Sequence, residues 1–359
     1  RQLLAFQDIL PIIPGKFKVF FLLKSKTAKD FTSFQTEVAV PPEQGNASLS
    51  RMILYHSKEP LEPNQKRKNK AFAFHGDQYV VNAQNNFLPR KKIGFYCQVH
   101  NMKEINRKSC LLEIFRINTD TPVQIQKKSL EEVLAPDGKG IDTGSVSLAS
   151  LEPGYYQAHL SILDENEKKI LTEKENFILL SQTYPVIPWV YSKLHNTFPN
   201  PDQLHILASQ YFMTRKFDQA RDFLQQALEM KDEPKTRLLL SKTLYALGQY
   251  KNSLALIFPV YQATQNREAA KIIAVNYAGL EDWTAALVYL EKLMEQAAEI
   301  SVLNLAAECY LNLDQPDKAL PLLQKSLKLN PNQAKIKELE KSAKKRIEIN
   351  KSSQLKSLN

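Results

Sequence analysis

Two rhythms divide the chain. Before about residue 180 apolar and polar positions alternate, the period of a strand with one buried face; beyond residue 200 apolar positions return every three or four residues, the period of a helix. Phe17, Val19, Phe21 and Leu23 alternate, and after the polar turn from Lys24 to Lys29 so do Phe34, Thr36, Val38 and Val40. The pattern predicts a hairpin, introduced by Pro14-Gly15 and stopped by Pro41-Pro42. Further strands are predicted over Tyr79–Val81, Ile93–His100, Cys110–Ile117, Val123–Lys127, Ser145–Leu148, Tyr155–Leu163 and Ile170–Leu180. Short strands at this spacing imply an antiparallel sandwich of immunoglobulin-like type. Pro60, Pro63 and the run Lys66-Arg67-Lys68-Asn69-Lys70 make residues 57–70 an expected exposed loop.

The first hairpin has an echo. Pro153-Gly154-Tyr155-Tyr156 repeats Pro14-Gly15-Lys16-Phe17 at an offset of 139; there Phe21 matches Leu160, Leu23 matches Ile162, Val38 matches Phe177 and Val40 matches Leu179. Both stretches read as closing hairpins of two related sandwiches. The first sandwich is incomplete on this reading, and its opening strands are expected upstream.

Beyond Pro201 one helical-hairpin pattern recurs. Tyr211, Tyr245, Tyr277 and Tyr310 mark it, at spacings of 34, 32 and 33 residues. Nine residues after each comes Ala220, Leu254, Ala286 or Ala319, and four further on Leu224, Phe258, Leu290 or Leu323. Tyr211 follows Ala208 by three residues, on one face of a first helix; Ala220, Leu224 and Ala227 line one face of a second. A small residue where two helices cross lets their axes approach, and one such hairpin cannot bury its own apolar face, so neighbours must stack on it.

These residues resemble the tetratricopeptide repeat (TPR) over about 130 positions. On this reading the second and third copies are degenerate, with Lys242 at a normally small position and Leu254 where Ala is usual. The resemblance implies a solenoid whose first helices line a concave groove. It places His205, Ser209 and Phe212 there in the first copy, and Leu239, Thr243 and Ala246 in the second. Lys271, Val275 and Ala278 follow in the third, and Asn304, Glu308 and Leu311 in the fourth. His205 and Ser209 stand where the family's carboxylate clamps need Lys and Asn, so the implied ligand is an extended segment or helix of a partner protein. The groove filled by the protein's own chain is the alternative.

The β segments are similar to the C-terminal part of bacterial envelope proteins named for a Gly-Trp-x-Thr-Asp motif. The order carries the likeness: a Pro-Gly-led hairpin, Ala47 to Leu54, Phe72 to Val81, Phe87-Leu88-Pro89, then Ile93 to Asn101. The naming motif itself is absent, since neither Trp189 nor Trp283 has that context. This likeness implies the bacterial periplasm, envelope or exterior, with the cytoplasm left open.

Composition narrows the function without naming it. At 359 residues, 43% hydrophobic and 9% aromatic, the chain can build more than one core. No stretch approaches the roughly 18 uninterrupted apolar residues of a membrane span. The net charge of +10 is concentrated at the end, where eight Lys/Arg and three Glu between Ala334 and Asn359 leave +5. Ile336, Leu339, Ala343 and Ile347 keep an apolar stripe there, which favours a solvated capping helix, frayed from Lys351, over a nucleic-acid or lipid contact. Cys97 and Cys110 are placed to face each other across a hairpin, either as a disulfide or as two buried thiols; Cys309 reads as core.

No Gly-rich phosphate loop, Gly-x-Ser-x-Gly, His-Glu-x-x-His or Cys-x-x-Cys occurs, and the six histidines are scattered. His75-Gly76-Asp77 reads as a turn. The chain is therefore read as multidomain β plus α. It runs from a partial sandwich with a basic loop (1–75) to an immunoglobulin-like sandwich (76–182), a Pro-rich connector (183–200), four TPR-like hairpins (201–333) and a basic cap with a frayed tail (334–359). The expected function is a non-catalytic scaffold that binds a protein through the concave surface, without cofactor, metal or nucleic acid. The alternatives are a structural subunit of a larger assembly, with self-association, and an accessory subunit of an enzyme complex.

Overall fold

The computed structural model describes residues 4–24, 30–40, 42, 47–61, 68–88, 92–101, 109–181, 189–192, 194–196, 199–297 and 299–357. They fall into two compact units, Arg1–Phe198 and Pro199–Asn359.

The first unit is built of strands: β1 (Leu4–Gln7), β2 (Gly15–Lys24), β3 (Phe31–Val40), β4 (Ser48–Leu49), β5 (Ile53–Pro60), β6 (Lys68–Lys70), β7 (Ala73–Phe74), β8 (Asp77–Val81), β9 (Asn86–Phe87), β10 (Lys92–His100), β11 (Ser109–Arg116) and β12 (Pro122–Ser129). A one-turn helix, α1 (Leu130–Val133), precedes β13 (Gly140–Ser147), β14 (Gly154–Leu163), β15 (Lys169–Leu179), β16 (Trp189–Ser192) and β17 (Leu194–Asn196). One sheet runs β13-β10-β5-β8-β7, with β4 also on β10; the other runs β12-β11-β14-β15-β9. Alternation explains how they meet. Ile93, Phe95, Cys97 and Val99 of β10 and Cys110, Leu112 and Ile114 of β11 turn inward. With Tyr156, Ala158, Leu160, Ile162 and Phe177 they form one buried core.

Three expectations change here. Cys97 and Cys110 do not face across a hairpin: β10 and β11 lie in different sheets, and both thiols are free and buried in the shared core. Burial pushes both thiols up, Cys110 to about 12. Residues 57–60, read as loop, continue β5, because Ser57, Lys58 and Glu59 pair with Val80, Tyr79 and Gln78. This strand lies between β8 and β10, so the sheet spans both sides of the boundary expected at residue 75. The basic run is only partly described; its residues 68–70 are β6, paired with β17. The connector expected at 183–200 contains β16 and β17, which pair with β1 and β6.

The hairpin β2–β3 forms a two-stranded sheet of its own among the described residues. Its pairing, Gly15 with Val40 through Leu23 with Thr32, matches the predicted hairpin.

The second unit is the expected helical array. Its hairpins are α2 (Pro201–Met213) with α3 (Phe217–Met230), α4 (Pro234–Ala246) with α5 (Tyr250–Thr264), α6 (Arg267–Gly279) with α7 (Trp283–Gln296), and α8 (Ile300–Asn312) with α9 (Pro316–Leu329). The last helix, α10 (Ala334–Ser357), buries Ile336 and Ala343 on the array, and its backbone stays helical past the expected fraying point at Lys351. Each first helix ends on the same corner. Arg215, Gly248, Glu281 and Asp314 take positive φ of 60°, 73°, 59° and 54°. The next amide (Lys216, Gln249, Asp282, Gln315) then donates back to the carbonyl of Tyr211, Leu244, Tyr277 or Tyr310 at 2.8–2.9 Å.

Those corners fall every 33 residues, which corrects the reading of the second copy. The position of Tyr211, Tyr277 and Tyr310 is filled there by buried Leu244, and Tyr245 lies one residue beyond, 40% exposed. The small crossing positions are Ala208, Ser241, Ala274 and Ala307 on the first helices and Ala220, Ser253, Ala286 and Ala319 on the second, none with any exposure. Leu224, Ile257, Leu290 and Leu323 fill the next row. Lys242, Leu254 and Phe258 lie one residue beyond the repeat positions held by Ser241, Ser253 and Ile257, and with Ala274 and Ala286 at the third crossing neither copy is degenerate. The C-terminal half is a TPR-like helical repeat of four hairpins plus a cap.

Candidate functional site

The surface to test is the row presented by the first helices. One residue on a helix is a turn of about 100°. The second-copy slip therefore moves its candidates off the row: Leu239, Thr243 and Ala246 give way to Leu238, Lys242 and Tyr245 at the 33-residue spacing. Thr243 is fully buried, with its hydroxyl donated to the Leu239 carbonyl at 2.8 Å, so it offers a partner nothing. Leu239 packs half-buried beside Leu240 and Leu244.

The other expected residues do lie along the first helices, but most are already engaged with the neighbouring hairpin. His205 Nδ1 is 3.3 Å from Thr236 Oγ1, and burial, then Lys235, hold its imidazole below the usual value. Ser209 donates to the carbonyl of His205 at 2.8 Å. Lys242 pairs with Glu268, and Lys271 with Glu299, which Arg267 also holds at 3.0 Å. Asn304 donates to Gln333 at 2.9 Å, and Glu308 takes Lys335 at 2.6 Å. Leu311 is buried, and its carbonyl accepts from Arg346 of α10 at 3.0 Å. Val275 is half-buried. What stays open is Met213 and Tyr245, with Phe212 half-buried and edge-on to Phe217 at 5.5 Å.

Beneath the row lies a polar seam absent from the sequence reading. Asn276 Nδ2 donates to Ser253 Oγ at 2.9 Å and to the Ile272 carbonyl at 2.6 Å, and Ser253 Oγ donates to the Ser241 carbonyl at 2.8 Å. The small pair Ser241 and Ser253, twelve residues apart as in every other copy, was the available signal.

The β unit carries a second cluster, on the sheet face away from the main core. Asp142 accepts from Tyr55 at 2.5 Å, Tyr79 at 3.0 Å, Lys58 at 2.9 Å and the Gly144 amide at 2.9 Å. Burial works to raise this carboxyl, but the bonds from Tyr55, Lys58 and Gly144 outweigh it and leave Asp142 below the ordinary carboxylate value. Tyr55 lies flat over Gly94, its cross-strand partner; a Cβ there would sit 1.9 Å from the ring. His75, singled out with Asp77, turns instead to Asp137 at 3.5 Å and to Tyr96 at 3.1 Å. Every carboxylate oxygen of Asp142 is satisfied, so the cluster ties β5, β8 and β13 together.

Among the described residues no group of three or more His, Cys, Asp and Glu is arranged to hold a metal ion, and no helix is long and apolar enough to cross a membrane.

The family described as anaphase-promoting complex, cyclosome, subunit 3 matches residues 189–260. No curated protein matches the chain at a significant level. Similar solved structures include a chain of the APC/C hetero-tetramer Cut9–Hcn1, at 17% identity and TM-score 0.38, covering 40% of this chain and 30% of that one. MamA AMB-1 is similar at 20% identity and TM-score 0.33, covering 37% of this chain and 75% of that one. A thermophilic TPR protein in Thermus thermophilus is similar at 17% and 0.35, covering 40% and 81%. This chain thus spans under a third of the first of these.

Proposed function

We propose that the protein is a non-catalytic subunit of a larger protein assembly, joined to a neighbour through its helical array. The observation that carries this is the state of the first-helix row. Its polar side chains are spent on the next hairpin, as in Lys242–Glu268 and Lys271–Glu299, or on the last helix, as in Glu308–Lys335, while Met213 and Tyr245 remain open beside half-buried Phe212. A groove built to hold an extended peptide needs free donors and acceptors along its length. A stitched, preformed array with an aromatic edge suits a packed subunit contact instead. The match of residues 189–260 to a family of complex subunits supports the same reading.

The test is light scattering and crosslinking of the chain purified from its source. The wild type is expected in a species larger than one chain, and Phe212→Glu with Tyr245→Glu is expected to release it. A wild type that is a monodisperse monomer with nothing co-purifying refutes the proposal.

For the β half the proposed plan is immunoglobulin-like. Its support is the run β12-β11-β14-β15 with β9 parallel at the β15 edge, facing a sheet in which β10 pairs with β13. The location proposed with it is the bacterial envelope or periplasm, supported by the β half's resemblance alone. Cell fractionation that finds the chain only with cytoplasmic markers rejects it.

A further inference from the structure

The second hairpin is built unlike its neighbours. In the first, third and fourth, the two helices bury apolar side chains in one shared cluster, Ala208 with Leu224, Ala274 with Ala286, and Ala307 with Ala319. Through the second hairpin runs a boundary between clusters. Leu240 and Leu244 of α4 pack with Ala208 and Leu224, whereas Leu254, Ile257 and Val260 of α5 pack with Ala269, Ile272 and Ile273 of α6. Half-buried Leu238 and Leu256 reach across it. At the crossing stand Ser241 and Ser253, where the other pairs have alanines. Their seam is incompletely satisfied. Ser253 Oγ and Asn276 Nδ2 are bonded, but Ser241 Oγ and Asn276 Oδ1 have no hydrogen-bond partner among the described residues, and neither residue has any exposure. Buried polar atoms left unpaired work against the closed joint, because opening it gives them water. The turn between these two helices is also the one glycine corner of the four. Gly248 holds a φ of 73°, and a Cβ on it would meet nothing within 4 Å. Glycine resists a change of backbone angle least.

We infer that the array carries a built-in hinge at the α4–α5 crossing, about which α2–α4 (201–246) and α5–α10 (250–357) move as two bodies. The stability of a repeat array is a sum over neighbouring contacts, so motion concentrates at the weakest of them. The division of the core lets each body keep its own apolar contacts as the joint opens, Leu240 and Leu244 on the first hairpin, Leu254 and Ile257 on α6. Surface ties limit the swing. They include the largely exposed pair of Lys242 with Glu268 and the ring contact of Tyr245 with Tyr250 at 5.6 Å. Met213 and Tyr245 both belong to the first body, so the open edge of the row swings as one piece and the curvature of the array changes at a single place. The hinge stands on the chain's own packing and needs no partner, so it and the assembly reading fail separately.

Spin labels at repeat-equivalent sites of the full chain provide the test. Asp218→Cys with Thr284→Cys spans the joint, and Lys251→Cys with Asp317→Cys lies wholly on the second body. All four sites are exposed, on the first turn of a second helix, and each pair is two copies apart. Cys97, Cys110 and Cys309 are buried and stay unlabelled in the native chain. Double electron–electron resonance is expected to give a distance distribution about twofold wider across the joint than within the second body. Ser241→Ala with Ser253→Ala and Asn276→Leu makes the crossing apolar. It should narrow the first distribution to the width of the second and leave the second unchanged. Gly248→Asn keeps the left-handed corner with less backbone freedom, and should narrow the first distribution in part. Circular dichroism shows whether each variant is folded. Equal widths in the unsubstituted background overturn the inference. So does an unchanged first distribution in the folded triple variant or, where that variant does not fold, in Gly248→Asn.

Discussion

The 33-residue spacing makes Ser241, not Lys242, the place where α4 and α5 cross, and neighbouring substitutions separate the two registers. Ser241 has no exposure, and its carbonyl already holds Ser253 Oγ at 2.8 Å. A leucine there puts two more heavy atoms into a filled crossing, which costs about 1–3 kcal/mol by overpacking. Ser241→Ala acts the other way. The Ser241 hydroxyl is buried with no hydrogen-bond partner among the described residues, so its removal is neutral or stabilising by about 1 kcal/mol. Lys242→Leu loses only its largely exposed pair with Glu268, worth about 0–1 kcal/mol. Urea unfolding by circular dichroism ranks the three, and amide exchange in α4 and α5 localises the effect, since repeat arrays open by neighbouring units. Equal damage from Lys242→Leu and Ser241→Leu refutes the register, and with it the assignment of Lys242 and Tyr245 to the exposed row.

Three further outcomes are expected. Asp142 has a folded value below that of an unfolded carboxyl, so the stability it contributes is present above the ordinary carboxylate range, near pH 4, and is lost as pH falls through the depressed value. Asp142→Asn should cost about 1.5–3 kcal/mol at neutral pH and flatten that acid limb in thermal melts; an unchanged limb assigns it elsewhere. Gly94→Ala places a Cβ 1.9 Å from the Tyr55 ring, so it should displace the ring, break the Tyr55–Asp142 bond and lower the melting temperature of the β unit; a Tyr55→Ala background should absorb most of the loss. Cys97, Cys110 and Cys309 are buried thiols with raised values, about 11 for Cys309, so a maleimide should label them only in denaturant; rapid native labelling contradicts the packing.

The helices were legible because their apolar period is long and their small residues recur. The slip in the second copy came from following the aromatic ring of Tyr245 rather than the backbone corner at Gly248. Ring identity is negotiable in a half-exposed slot, whereas the corner and the Ala208–Ala220 spacing, kept by Ser241–Ser253, are steric requirements. The groove candidates inherited that slip at Leu239 and Thr243. Lys271, Asn304 and Glu308 were placed on the right helices, yet their engagement with Glu299, Gln333 and Lys335 depends on neighbours 28, 29 and 27 residues away, which no local pattern displays. In the β unit the alternating strands were readable, but residues 57–60 carry charge and a proline, and only their pairing with β8 makes them strand. Asp142 has no local signature, because its side-chain partners come from two other strands, β5 and β8.

The corners at Arg215, Gly248, Glu281 and Asp314 have one further consequence. A segment excised at one of them and rejoined at the next would meet the same backbone geometry, so the helix pairs between successive corners are interchangeable bricks as far as the main chain is concerned. Their order is written elsewhere. Exchange the second brick with the third, and Glu268 would look across at Ser209 while Glu299 would face Leu238 and Pro234, each carboxylate stripped of its cation. The joints would tolerate the shuffle; the charges act as address labels that favour the native order.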